Sequence, residues 1–109
     1  MDKEEIFVEA IDAFGDGKLE AAIELYQKAL AIDPNYQDAL HGLGRVFYDL
    51  GRFDDAVATA KRLIEIDNED VLAHTSLSMA YLGQGHIEAA EKEGNVAKIM
   101  GWKHDLRKE

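Results

Sequence analysis

The groups in this chain that are capable of chemistry are a glycine-flanked lysine, four histidines, a few hydroxyls and many carboxylates. Gly15-Asp16-Gly17-Lys18 stands just before an apolar-periodic run, where a phosphate-cradling loop would place its glycines and lysine. Such a loop needs a longer glycine spacing, a Lys-Ser or Lys-Thr pair and a preceding strand. Here Lys18 is followed by Leu19, and no strand pattern precedes it. His41, His74, His86 and His104 lie on different segments, with no i, i+4 pair and no cysteine in the chain, so a zinc site is not indicated. Asp12, Asp16 and Glu20 lack the alternating oxygen ligands of a calcium loop. His74 and Ser76, two apart on a helix, face different directions and make no nucleophile–base pair. The expectation is a protein that is not an enzyme and needs no cofactor or metal.

The same stretch gains a different meaning from its recurrence. GKLEAAIELYQKAL begins at Gly17, GRFDDAVATAKRLI at Gly51 and GHIEAAEKEGNVAK at Gly85, at intervals of 34 residues. The preceding segments keep step: Leu43 pairs with Leu77, Gly44 with Ser78 and Phe47 with Tyr81. Each glycine follows one amphipathic run and opens another, where a left-handed residue suits glycine because a Cβ would clash. Lys18 becomes Arg52 and then His86, as an exposed turn allows. Gly15-Asp16-Gly17-Lys18 therefore reads as a turn.

These turns connect six predicted helices, at about 3–15, 18–31, 36–49, 53–66, 70–83 and 87–99, followed by the tail GWKHDLRKE with room for a short seventh helix. Pro34 breaks the chain between units, and Asn68 stands in its place in the next one. Short turns between helices of about four turns make antiparallel pairs. A chain of 109 residues is expected to form one domain, 1–109, with units at about 3–36, 37–70 and 71–104 and a tail at 101–109. The formal charge of −10 disfavours nucleic acid and anionic membrane as partners. With acids among the first residues and no long apolar run, the expected location is cytoplasmic.

The period, the small residues at Ala10/Gly44/Ser78 and Ala22/Ala56/Ala90, the aromatics Tyr26, Phe47, Phe53 and Tyr81, and Pro34 at a unit boundary together resemble the tetratricopeptide repeat family over residues 3–102. The resemblance implies an all-α fold, a right-handed superhelical stack of three antiparallel helix pairs. It also implies that the first helix of each pair lines a concave groove. The groove-facing columns then hold Phe7, Ile11 and Phe14, next Asp38, His41, Arg45, Tyr48 and Asp49, and last Leu72, Thr75, Ser76, Met79 and Leu82. Phe7, Ile11 and Phe14 make one helical stripe, rotated from the face of Ile6, Ala10 and Ala13. Glu9 and Ala13 occupy columns that carry large apolar residues in later units, so the alternative is a first helix rotated to bury Phe7 and Ile11 internally.

The resemblance thus implies a non-catalytic interaction module that takes an apolar or amphipathic peptide or helix in its groove, with Arg45 and Tyr48 as polar contacts. The alternative is a self-assembling unit, a homo-oligomer closed through the groove or the C-terminal end. Some members of the family hold chaperone tails through a clamp of Lys, Asn and Arg. The matching positions here, Phe7, Ile11, Gly42, Leu72 and Ser76, lack those types, so such tails are not expected to bind. Glu91 and Lys98 replace the apolar columns Ile23/Val57 and Leu30/Ile64, as at the last unit of a stack. Trp102 is expected to fold back over the last pair as a lid, or else to serve a contact between subunits or a binding patch.

Overall fold

The computed structural model describes residues 1–108, and among these there are six helices and no strand. α1 is Lys3–Gly15, α2 Leu19–Ile32, α3 Gln37–Asp49, α4 Phe53–Ile66, α5 Val71–Gly83 and α6 Ile87–Lys108. Among the described residues no helix is long and apolar enough to cross a membrane. α1 packs on α2, α3 on α4 and α5 on α6, while α2 meets α3 and α4 meets α5 between the pairs.

The three turns within pairs are built alike. Gly17, Gly51 and Gly85 adopt φ of 76°, 74° and 83°, a left-handed geometry that a Cβ would strain. After each of them the next amide reaches back to close the helix: Lys18 N–H donates to Ala13 O at 2.9 Å, Arg52 to Phe47 at 2.8 Å and His86 to Tyr81 at 2.9 Å. With the glycine amides bonded to Phe14, Tyr48 and Leu82, this is a Schellman cap repeated three times.

The turns between pairs rest on aspartate. Asp33 and Asp67 leave the helix in extended geometry, and their carboxylates accept from the amides of Asn35 at 3.1 Å and Glu69 at 3.0 Å. Pro34 and Asn68 sit inside two copies of one turn, so the break does not depend on proline. The first of these turns is held from outside as well. Lys3 Nζ lies 2.6 Å from Asp33 Oδ2 and above the Tyr36 ring, and Arg62 donates to the Pro34 carbonyl.

One period further on, Gly101 stands where Asp33 and Asp67 stood, and Trp102 where Pro34 stood. A glycine carries no carboxylate to form the turn and costs a helix interior only about 1 kcal/mol. α6 therefore runs on to Lys108 instead of ending near 99, and no separate seventh helix forms. Trp102 does not fold back as a lid. It lies on this continued helix and is 65% exposed.

The core sits between the helices of each pair and between pairs. Ala10, Ala22, Ala39 and Ala73 are fully buried, so the backbones approach closely, and Leu40, Val46 and Leu63 fill the centre. Ser78 donates to Ala90 O at 2.6 Å where α5 crosses α6. In the first helix Ile6 and Ala10 face inward and Ile11 is exposed, so the helix is not rotated to bury Ile11.

Candidate functional site

Pairing the helices leaves α3 and α5 side by side in front of α4, and the space between them is a cleft of about 360 Å³. Its floor is mostly apolar, with Leu40, Ala56, Ala60 and Leu63 buried there beside Thr59. Its rim carries His41, Arg45 and Tyr48 from α3 and Leu72, Ser76 and Met79 from α5. Leu72 and Met79 are large apolar side chains left open to solvent.

Two polar residues of the rim, His41 and Arg45, are already partnered. His41 Nε2 lies 2.7 Å from Asp70 Oδ2, while the other oxygen of Asp70 caps α5 by accepting from Ala73 N–H at 3.1 Å. One carboxylate thus starts α5 and ties it to α3. Arg45 donates through Nε to both oxygens of Asp49, at 3.0 and 3.2 Å, and its guanidinium stands 5.9 Å from the Phe14 ring centre. Exposure leaves this pair little stabilising energy. Tyr48 packs edge-on to Phe53 at 5.5 Å, and Phe53 in turn occupies the space beside Gly83.

Of the residues anticipated from sequence, the fold gathers eight in this cleft: His41, Arg45, Tyr48 and Asp49 from α3, and Leu72, Thr75, Ser76 and Met79 from α5, while Asp38 is not in its lining. Phe14 adjoins it through Arg45. Phe7 lies instead among aromatics, 6.1 Å from Tyr26 and 5.5 Å from Tyr36, half-buried against the core. Ile11 is exposed on α1. Leu82 lies elsewhere, in a shallow hollow between α5 and α6 with Ile87 and Gly94. Asp70 went unrecognised among the sequence candidates. Its position just before the apolar run of α5 marked a helix cap, but nothing local indicated that His41, 29 residues away, would share it.

His74 is a structural residue. It is buried, with Nδ1 2.8 Å from Glu93 Oε2 and Nε2 3.1 Å from the Asn68 carbonyl. It joins α5 to α6 and to the turn before α5.

Three stacked helix pairs around a cleft, joined by turns of one repeated design, define a helical solenoid. A family model for the tetratricopeptide repeat matches residues 13–79, and the chain belongs to the tetratricopeptide repeat family. Solved structures of MamA are similar: one has a TM-score of 0.92 at 28% identity, covering 96% of this chain and 61% of that one. This chain thus spans about three-fifths of the MamA chain. The type III secretion translocator chaperone SycD of Yersinia enterocolitica gives a TM-score of 0.85 at 20% identity, covering 90% of this chain and 74% of its own. The first repeat domain of Spaghetti (RPAP3), bound to the HSP90 peptide SRMEEVD, gives 0.88 at 18% identity, covering 98% and 89%. These likenesses place the fold as the right-handed stack expected from sequence. Among curated proteins, none matches the sequence.

Proposed function

We propose that the chain is a non-catalytic interaction module that takes an apolar or amphipathic protein segment in the cleft between α3, α4 and α5. The single observation that carries this reading is that Leu72 and Met79, large and exposed, stand on the rim of an open cleft between α3 and α5. Burying one such side chain is worth about 1.5–3 kcal/mol, and a few anchors dominate an interface. Arg45 and Tyr48 stand at the rim to receive polar groups. A helix or an extended segment fits this mode.

The acidic tail peptide seen with Spaghetti is not the ligand in this reading. Phe7, Ile11, Gly42, Leu72 and Ser76 offer it no cation, and Arg45 alone does not make a clamp of Lys, Asn and Arg. The test is Leu72→Glu with Met79→Glu. Both residues are exposed, so circular dichroism should be unchanged while capture of partner proteins falls by about tenfold or more. Unchanged capture by the double variant, or tight binding of SRMEEVD, would count against this assignment.

A second reading, a self-assembling unit, is favoured by the exposed apolar residues at the C-terminal end, Ile99, Trp102 and Leu106.

A further inference from the structure

From residue 99 onward α6 is mostly exposed, with Met100 and Gly101 half-buried and residues 102–106 open to solvent. Ala97 and Lys98 lie next to Val71 and Thr75 at the start of α5, so α6 continues past the helix it packs on by a stretch of about two turns. Ile99, Trp102 and Leu106 fall at i, i+3 and i+7, one stripe on the overhang, and are 50%, 65% and 69% exposed. The charge divides at the same place. Residues 98–108 contain Lys98, Lys103, Arg107 and Lys108 against one acid, Asp105, whereas residues 1–97 contain eight basic and twenty acidic residues. A basic amphipathic arm projects from a strongly acidic body.

We propose that this arm is a ligand for the cleft of a second copy of the chain, with Trp102 entering between α3 and α5. This rests on the reading of the cleft as a binding groove and names its occupant. A space of about 360 Å³ with exposed Leu72 and Met79 on one wall suits one large aromatic side chain. Trp is among the residues most enriched as interface anchors, and a helix docks into a groove through anchors spaced like Ile99, Trp102 and Leu106. Opposite charge on arm and body steers the encounter. α6 is one unbroken helix, and none of its residues is among those lining the cleft of its own chain. Arm and cleft are different patches, so the contact is heterologous: two copies exchange arms in a closed dimer, or copies follow one another in an open chain.

Trp102 is the only tryptophan, so its emission reports on the arm alone. Sedimentation and fluorescence of the full chain are measured together across concentration, at low and high salt. The mass is expected to rise with concentration as the emission shifts to the blue, and added salt is expected to weaken both. Trp102→Ala is expected to weaken association by about tenfold or more without changing helicity.

The decisive step is a mixture. An arm variant, Trp102→Ala with Leu106→Ala, and a groove variant, Leu72→Glu with Met79→Glu, are each expected to be monomeric alone. Together they are expected to pair, with a blue shift of the indole that the groove variant still carries. A mass and emission independent of concentration would overturn the proposal, as would self-association retained by the groove variant. Monomers whose emission shifts only on phosphatidylserine vesicles would overturn it by assigning the arm to a membrane. A monomer whose captured partners depend on Leu72 and Met79 would overturn the arm and leave the groove reading intact; loss of neither property in the groove variant would remove both.

Discussion

Gly42 and Gly44 are two residues apart on α3 and owe their lack of a side chain to different causes. A Cβ on Gly42 would lie 2.4 Å from the Tyr26 ring, while one on Gly44 would meet Thr59 Cγ2 at an ordinary 3.5 Å. Gly42→Ala should therefore destabilise by about 1–3 kcal/mol through overpacking, and Tyr26→Leu in the same chain should recover part of the loss. Gly44→Ala should be neutral or stabilising by up to about 1 kcal/mol, since alanine favours the helix. Thermal unfolding of the variants checks the ordering, and equal losses at the two positions would contradict the packing described. Asp33 gives a residue-scale prediction of another kind. The Lys3 ammonium first, and then the Asn35 amide, hold its carboxyl below the usual carboxylate range. A depressed folded-state value means that the stabilisation is present above the unfolded-state value, about 3.9, and is lost as pH falls through the folded one. Lys3→Met should raise the Asp33 value in a carboxylate titration followed by NMR. No movement would mean that the ion pair does not form in solution.

At the scale of the element, how each helix ends decides the architecture. Three Schellman caps fold α1, α3 and α5 back onto their partners, and two aspartate turns separate the pairs. Gly51→Ala would force a Cβ into a left-handed residue at a cost of about 1–2 kcal/mol, visible in chemical denaturation. α6 lacks the stop that ends α2 and α4, because Gly101 and Trp102 replace aspartate and its follower. Gly101→Ala should stabilise the overhang by about 1 kcal/mol. Hydrogen exchange at residues 99–106 should slow while exchange in α3 and α4 is unchanged; slowing throughout the chain would mean that the overhang folds with the body.

Across the whole molecule, stability is distributed as in a one-dimensional stack, where each pair leans on its neighbours. Leu63 lies in the middle pair, nearly sealed from solvent and at the floor of the cleft. Leu63→Ala should cost about 2–5 kcal/mol, a large share of what a chain this size has to lose. Leu106→Ala, on the overhang, should change stability by no more than about 0.5 kcal/mol. Equilibrium denaturation of dilute protein compares the two. A large loss from Leu106→Ala would show that the arm packs on its own body. His41 and Asp70 act at this scale too, since one carboxylate caps α5 through one oxygen and ties the two walls of the cleft together through the other.

Much of this was legible before any coordinates, for reasons that are local. A 34-residue period in glycine, alanine and aromatic positions is a statement about backbone geometry repeated three times, and the turns at Gly17, Gly51 and Gly85 follow from it directly. The small residues that let helices touch, and the inward face of Ile6 and Ala10, follow from helical spacing. Only the tertiary structure decided that Phe7 lies against Tyr26 and Tyr36, that Asp70 bridges to His41, and that Leu82 stands apart from the cleft. Those are meetings between residues tens of positions apart, and periodicity says which face a residue takes but not what arrives opposite it. The run of α6 past Gly101 lies between the two cases. The missing aspartate is written in the sequence, but a stop that is absent is recognised only beside the two turns whose geometry shows what Asp33 and Asp67 do.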